Sequence, residues 1–325
     1  MNQSYLTSSC LRMPRYSRAL QIQGSHFDKK PEWLRVRYPT GEKYEKIKEI
    51  LRHHNLHTVC EEANCPNVAE CWGGGTATFM LMGDTCTRAC RFCMVKSGNP
   101  HSALDVFEPL KVAKTIADLR LRYVVITSVD RDDLPDGGAN HFAATIRAIR
   151  QRDPEVMIEV LIPDFQGNID HVRKVVEAGP EVIAHNIETT EQLTRKVRDP
   201  RATYRQSLKV LKAIKDLNPA IRSKSSIMLG LGETEIDLVA TMRDLRDVKV
   251  DILTLGQYLR PTRGHIPVSE YLTPERFQYY KEVAERLGFL YVAAGPFVRS
   301  SYRAGEFFLE ALVRQNGRGS LSNDY

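Results

Sequence analysis

From residue 77 onward the chain alternates short apolar runs with segments of helical period. The runs are "ATFMLMG" (77–83), "RYVVITSV" (122–129), "EVMIEVLI" (155–162), "EVIAHNIE" (181–188), "SSIMLGLG" (225–232) and "DILTLGQYL" (251–259). They are of strand length, rich in β-branched residues, and largely continuous in their apolar character, as buried parallel strands are. Between them, "YRQSLKVLKAIKDL" (204–217) places Leu208, Leu211 and Ile214 on one helical face. "TPERFQYYKEVAERLG" (273–288) opens on a Thr273 cap with Pro274 in the first turn and stops at Gly288. Strands separated by helices predict a parallel sheet wound by right-handed crossovers. Six such units are too few to close an eight-fold barrel. The predicted fold is therefore α/β, a partial TIM-like (β/α)6 barrel with N- and C-terminal extensions. No solenoid repeat or low-complexity linker interrupts it. The predicted divisions are a tail over 1–30, an N-terminal extension over 31–75, the barrel over 76–290 and a C-terminal extension over 291–325.

Composition adds bounds. Of 325 residues, 42% are hydrophobic and 26% charged, the balance of a soluble globular protein. No run approaches the roughly 18 apolar residues of a membrane span. The formal charge of +6 is spread along the chain. It suits an acidic partner but falls short of a nucleic-acid footprint. Residues 1–23 carry Arg12, Arg15, Arg18 and several serines without an acid. That composition is similar to a short organelle-targeting peptide; the plainer reading is a prokaryotic tail, and a cytoplasmic location is expected.

Cysteine placement changes the picture more. Six of the seven lie between Cys60 and Cys93, with Cys10 apart. Without an export signal, clustered thiols point to metal binding or catalysis rather than disulfides. "CTRACRFC" sets Cys86, Cys90 and Cys93 in C-x3-C-x2-C spacing directly after the first predicted strand, and no cysteine follows. Structural zinc sites use four protein ligands, usually in paired C-x2-C knuckles. Three thiolates suit a cubane [4Fe–4S] cluster that leaves one iron for a ligand that is not protein. The loop falls at the carboxyl ends of the strands, where such folds gather their chemistry. "SVDRDDLPDGG", "HNIETT" and "GLGETE" fall there too. Asp, Gly and Pro clusters are also ordinary turn material, and Glu233 could be only a helix-start acid.

With Phe92 before its last cysteine, this loop resembles that of the radical S-adenosylmethionine superfamily. The resemblance implies that the open iron binds the amino and carboxylate groups of S-adenosylmethionine. Electron transfer from the cluster then yields a 5′-deoxyadenosyl radical. Upstream, "CEEANCPNVAEC" spaces Cys60, Cys65 and Cys71 as C-x4-C-x5-C. Alone, this could be a zinc site completed by His53, His54 or His57. Together, "TVCEEANCPNVAECW", "GDTCTRACRFC", "TSVDRDDLPDGGA", "HNIETT", "QYLRPT" and "GPFVRSSYRAGE" resemble the lipoyl synthase family, from Pro31 to Glu306.

That resemblance implies two [4Fe–4S] clusters. Cys86, Cys90 and Cys93 would hold one; Cys60, Cys65 and Cys71 would hold an auxiliary one completed by Ser300 or Ser301, of which Ser301 is preferred. A serine oxygen is a harder, poorly matched ligand, and so suits a cluster dismantled as it gives up sulfide. The implied reaction inserts sulfur at C6 and C8 of an octanoyl group on a lysine of an acceptor protein. Such methylenes offer no acidic proton, so acid–base groups have nothing to act on. Contacts to S-adenosylmethionine are implied for the backbone around Phe92, for Asn186 and Glu188, and for Arg198. The implied partners are an octanoylated lipoyl domain or glycine-cleavage carrier protein and a reducing electron donor, with no nucleic acid and no membrane. Among other readings, biotin synthase would lack the upstream triad, and a methylthiotransferase would add a nucleic-acid-binding domain. A non-enzymatic metal module holding nucleic acid would need an aromatic or Arg-rich face, which is not found.

Overall fold

Helix α1 (Glu42–His53) leads into strand β1 (His57–Thr58), and two short helices, α2 (Val59–Glu62) and α3 (Val68–Gly73), carry Cys60 and Cys71, with Cys65 between them. Strand β2 (Thr78–Leu81) enters the C-x3-C-x2-C loop, which is flanked by the short parallel pair β3 (Thr85–Cys86) and β4 (Lys96–Ser97). The repeating part follows: α4 (Glu108–Asp118), β5 (Tyr123–Ser128), α5 (Ala139–Arg152), β6 (Met157–Leu161), α6 (Ile169–Glu177), β7 (Val182–Ala184), α7 (Glu191–Val197) and α8 (Tyr204–Leu217). It continues through β8 (Arg222–Leu229), α9 (Glu235–Asp247), β9 (Ile252–Gln257), α10 (Pro274–Arg286) and β10 (Tyr291–Gly295). The computed structural model describes residues 30–34, 42–54, 56–62, 65, 67–73, 78–101, 104–301 and 304–305. The chain divides into the units Met1–Lys30 and Pro31–Tyr325, and all described structure except Lys30 belongs to the second. Cys10, the basic tail and Tyr302 lie outside the described residues.

One eight-stranded sheet runs in the order β1-β2-β5-β6-β7-β8-β9-β10. All neighbours pair in parallel except β1, which lies antiparallel on β2 with His57 opposite Met80. The sheet is open, with β1 and β10 as its edges, so it is a partial barrel. All six expected strands are present. A seventh parallel strand, β10, lies in the segment assigned to the C-terminal extension; its "YVAAG" run is short and rich in Ala and Gly, which have little strand preference. The expected helices hold as well. Leu208, Leu211 and Ile214 of α8 are buried on its inward face, and the Thr273 hydroxyl accepts from the Arg276 N–H at the start of α10.

Strand parity separates the two faces. Val124 and Ile126 point outward into the core shared with the helices, where Ile116, Phe142 and Ile146 meet them. Tyr123 and Val125 point to the inner face and pack with Val182 and Ala304. That inner face also holds an ion pair: Lys224 Nζ lies 2.7 Å from Glu159 Oε1, and the Tyr123 hydroxyl donates to Glu159 Oε2 at 2.7 Å. Lys224 and Glu159 are each about 1% exposed, so neither charge can turn to water. A buried pair loses most when one partner is removed, because the remaining charge is stranded.

Glu159→Gln should therefore destabilise the fold by about 3–5 kcal/mol. The double change Glu159→Leu with Lys224→Met should recover most of that loss. Denaturant unfolding of the three proteins measures both, and a Glu159→Gln protein as stable as its parent would show the pair to be idle.

Candidate active site

The C-x3-C-x2-C loop has almost no core of its own, and a buried charge fastens it. Arg88, between Cys86 and Cys90, is only 3% exposed. Its Nε and Nη2 donate to both oxygens of Asp132 at 2.9 Å, and Nη1 and Nη2 donate to Asp164 at 2.7 and 2.6 Å. Asp132 follows β5 and Asp164 follows β6, so one guanidinium ties the loop to the ends of two strands. Burial alone would lower the arginine pKa; hydrogen bonds to Asp132 and Asp164 outweigh it and raise it. Burial also pushes Asp164 up, and the Arg88 contacts reverse that, leaving it at about 2. Asp199 adds a second clamp: its Oδ2 accepts from the Ala89 N–H at 2.9 Å, and its own N–H points at the Cys90 sulfur at 3.3 Å. Arg201 holds the Asp199 carboxylate and donates to the Thr87 carbonyl at 2.7 Å.

The thiols of this loop are half-buried and sense one another. Burial pushes Cys93 up to about 12, with Cys90 and Cys86 adding to it, and pushes Cys86 and Cys90 to about 11. Backbone N–H groups of Arg88 and Asp130 point at the Cys86 sulfur, each at 3.4 Å. The upstream triad shows the same pattern. Burial pushes Cys60 up to about 12, with Cys65 and Cys71 adding to it and the nearby Thr78 backbone and Trp72 indole opposing it. Turns compress that segment: the Cys65 N–H donates to the Cys60 carbonyl at 3.1 Å, and the Cys71 N–H to the Asn67 carbonyl at 2.9 Å. His57 is engaged with Glu62 at 3.1 Å.

These donor sets suit iron–sulfur clusters. Each offers three sulfurs, that of Cys60 buried and the other five half-buried, and N–H groups aimed at sulfur, as at Cys86 and Cys90, stabilise thiolate and tune a cluster. Among the described residues no three His, Cys, Asp or Glu side chains converge on a single ion.

The C-terminal loop reaches the upstream triad. Asn67 Nδ2, between Cys65 and Cys71, donates to the Phe297 carbonyl at 2.6 Å, and the Arg299 charge lowers the Cys65 pKa against its burial. Gly256 on β9 makes way for this loop, since a Cβ there would sit 2.0 Å from the Val298 carbonyl oxygen. Ser301 occupies a half-buried turn just beyond.

The residues expected near S-adenosylmethionine gather at the end of β7. Glu188 adopts φ +68 and is held by backbone bonds to Ser226 and Met228 on β8. Burial raises its pKa, while the Arg198 charge and a hydrogen bond from Asn186 oppose the rise. Arg198 is buried, with Nη1 donating to Ser207 Oγ at 2.7 Å, and its Nε has no partner. A buried N–H without an acceptor suits a bound anion such as a ligand carboxylate. Phe92 packs with Val197, Leu231, Tyr258 and Ile266, leaving its backbone beside the cysteine loop. Glu233 does not act as a helix-start acid: its carboxylate accepts from the N–H groups of Gly230 and Leu231 and folds the "GLGE" turn.

His185 is a group that sequence reasoning missed. Its Nδ1 lies 2.9 Å from the Ile162 carbonyl and its Nε2 2.9 Å from Ser207 Oγ. A carbonyl only accepts, so Nδ1 carries the proton and Nε2 accepts from the Ser207 hydroxyl. The Ser207 oxygen then receives Arg198, and the guanidinium is oriented by a chain with every proton assigned. Arg88, Asp132 and Asp164 were missed too, although the first two lie inside motifs already singled out.

A model of the radical SAM superfamily matches residues 80–245, and one described as the N-terminal domain of lipoyl synthase of the radical SAM family matches residues 6–65. The X-ray structure of the FeFe-hydrogenase maturase HydG from Carboxydothermus hydrogenoformans superposes with a TM-score of 0.55 at 12% identity, covering 82% of this chain and 69% of that one. At that identity the likeness is one of fold. An open parallel barrel with a three-cysteine loop at its strand ends is thus the framework of a radical SAM enzyme. The mitochondrial lipoyl synthase of Bos taurus is 55% identical over 296 residues, covering 90% of this chain and 80% of that protein. Lipoyl synthase of Myxococcus xanthus (strain DK1622) is 56% identical over 287 residues, covering 88% and 96%. The chain belongs to the lipoyl synthase family.

The His185 chain has a consequence in pH. Burial, aided by the Arg198 charge, lowers its pKa from 6.5 to about 4. Between those values the unfolded chain binds a proton that the folded chain refuses, so stability should fall as pH drops from 6.5 to 4. The slope from this group is at most about 1.4 kcal/mol per pH unit. Urea unfolding at several pH values should show that slope reduced in His185→Asn, and equal slopes in both proteins would refute the assignment.

Proposed function

We propose that Cys86, Cys90 and Cys93 hold the [4Fe–4S] cluster that receives S-adenosylmethionine, and that Cys60, Cys65, Cys71 and Ser301 hold the auxiliary cluster. The enzyme is a lipoyl synthase: it inserts two sulfur atoms into a protein-bound octanoyl group, using S-adenosylmethionine and two [4Fe–4S] clusters. The clusters and S-adenosylmethionine, when bound, supply the radical and the sulfur. The protein supplies position. Arg88 and Asp199 hold the cysteine loop, the backbone at Phe92 and the Asn186–Glu188 pair face the ligand, and Arg198 Nε awaits its carboxylate.

One observation carries this arrangement. A single run, residues 297–300, touches both sites: Phe297 and Arg299 meet the Cys65 segment, and the Ser300 hydroxyl lies 3.0 Å from Asn186 Oδ1. An acyl chain placed beside that run is within reach of both the radical source and the sulfur source, which is the main demand of the reaction.

The divisions at 30, 75 and 290 are part of the proposal, with the auxiliary ligands drawn from both extensions. The acceptor is proposed to be an octanoylated lipoyl domain or glycine-cleavage carrier protein, its acidic surface suited to a net charge of +6. A reducing electron donor serves the first cluster. No nucleic acid or membrane enters the reaction; among the described residues no helix is long and apolar enough to cross a membrane. The cytoplasm is the proposed location, where six free thiols would stay reduced.

Anaerobic reconstitution should give about eight iron and eight sulfide per chain, and about four of each would remove the auxiliary cluster. Ser301→Cys should still assemble both clusters and release 5′-deoxyadenosine from S-adenosylmethionine, yet yield little lipoyl product, because a thiolate holds iron more firmly. Mass spectrometry of an octanoylated carrier peptide reads the product. Full sulfur insertion by Ser301→Cys and Ser301→Ala alike would overturn the serine assignment.

A further inference from the structure

The two adjacent serines of the "RSSY" run differ in a way that sequence does not reveal. Ser300 Oγ lies 3.0 Å from Asn186 Oδ1. The amide of Asn186 has a donor end and an acceptor end, and a second partner decides which faces which way. Its side chain also hydrogen-bonds Glu188, and that bond lowers the Glu188 pKa. A bond that favours the charged carboxylate must be donated to it, so the amide nitrogen faces Glu188 and the amide oxygen faces Ser300. An amide oxygen only accepts. The Ser300 hydroxyl is therefore the donor and keeps its proton.

A serine that ligates iron does so as an alkoxide and has no proton to give. Ser300 is thus committed elsewhere, and its neighbour Ser301 remains to complete the upstream triad. The same bond gives Ser300 a different task. On one side the loop is pinned to the auxiliary segment through Asn67 and Phe297 at 2.6 Å, with the Arg299 charge beside Cys65. On the other, Ser300 reaches Asn186, which reaches Glu188, whose carboxylate senses the charge of Arg198. Gly256 leaves the loop no slack, because its missing side chain is the space occupied by the Val298 carbonyl. A shift at either end is passed along a short, polar, fully oriented chain.

The geometry points to Ser300 as a positioning residue that couples the two sites. S-adenosylmethionine bound at Asn186 and Glu188 favours the loop position in which Ser301 is held at the auxiliary triad. By linkage, an intact auxiliary site favours S-adenosylmethionine binding by the same factor. This inference deepens the proposed function, and rests on its assignment of Asn186 and Glu188 to the S-adenosylmethionine site and of Ser301 to the auxiliary one.

The test uses the full chain, anaerobically reconstituted, with Ser300→Ala and Ser300→Thr beside the parent. Three quantities are read: iron and sulfide content, the equilibrium affinity for S-adenosylmethionine, and the change in the Mössbauer spectrum of the auxiliary cluster when S-adenosylmethionine is added. Ser300→Ala should keep about eight irons, bind S-adenosylmethionine roughly five- to tenfold more weakly, and lose the spectral response of the auxiliary cluster. Ser300→Thr retains the hydroxyl and should restore both affinity and response. A merely structural loss would not be repaired by threonine in both readouts. Parental affinity and response in Ser300→Ala would overturn the coupling, and loss of about half the iron in that variant would make Ser300 the ligand and overturn it equally. About four irons in the parent itself would be a different failure, that of the two-cluster reading.

Discussion

A positive charge that cannot reach water is the constraint on which the catalytic face depends. Arg88 is buried inside the cysteine loop, and an unpaired guanidinium there would cost several kcal/mol. Its charge is answered by Asp132 and Asp164, which lie on loops after two different strands. The fold can satisfy Arg88 only when the cysteine loop, the end of β5 and the end of β6 are all in place. Three segments with few apolar contacts among them are thereby held in one arrangement. Fork-to-carboxylate pairing also fixes direction, which a hydrophobic contact would not. With the loop so anchored, N–H groups at Arg88, Asp130 and Asp199 arrive at the sulfurs of Cys86 and Cys90.

Much of this was legible in the sequence, for local reasons. Buried parallel strands are continuous apolar runs, so six of them stood out. β10 did not, because its "YVAAG" run is short and its Ala293, Ala294 and Gly295 lack the β-branched bulk that marks a strand. Both cysteine triads stood out because six of the chain's seven cysteines fall within 34 residues, at spacings that suit cluster ligation. What could not be read is pairing across long separations. Arg88 and Asp164 lie 76 residues apart, and nothing in either neighbourhood names the other. His185 opens the "HNIETT" motif, but its role was hidden for the opposite reason: a single histidine at the end of an apolar strand is indistinguishable from a satisfied core residue until its two partners are seen. Ser300 and Ser301 are the same residue type side by side, and only the orientation of Asn186 separates them.

The open barrel also accounts for why the proposed auxiliary ligands come from opposite ends of the chain. A sheet that does not close has two free edges, here β1 and β10. The upstream cysteines follow β1 directly, and the loop bearing Ser300 and Ser301 follows β10 directly. Asn67 and Phe297 join these two segments by a hydrogen bond, with Arg299 beside Cys65. The proposed auxiliary site is therefore a splice between the segments that leave the two edges. A closed barrel would have no free edges from which to build it. In the proposed arrangement the cysteines stay with the sheet edge that β1 secures through His57 and Thr58, and a serine ligand, the harder and more weakly matched donor, would leave the β10 side of the splice as the one able to let go.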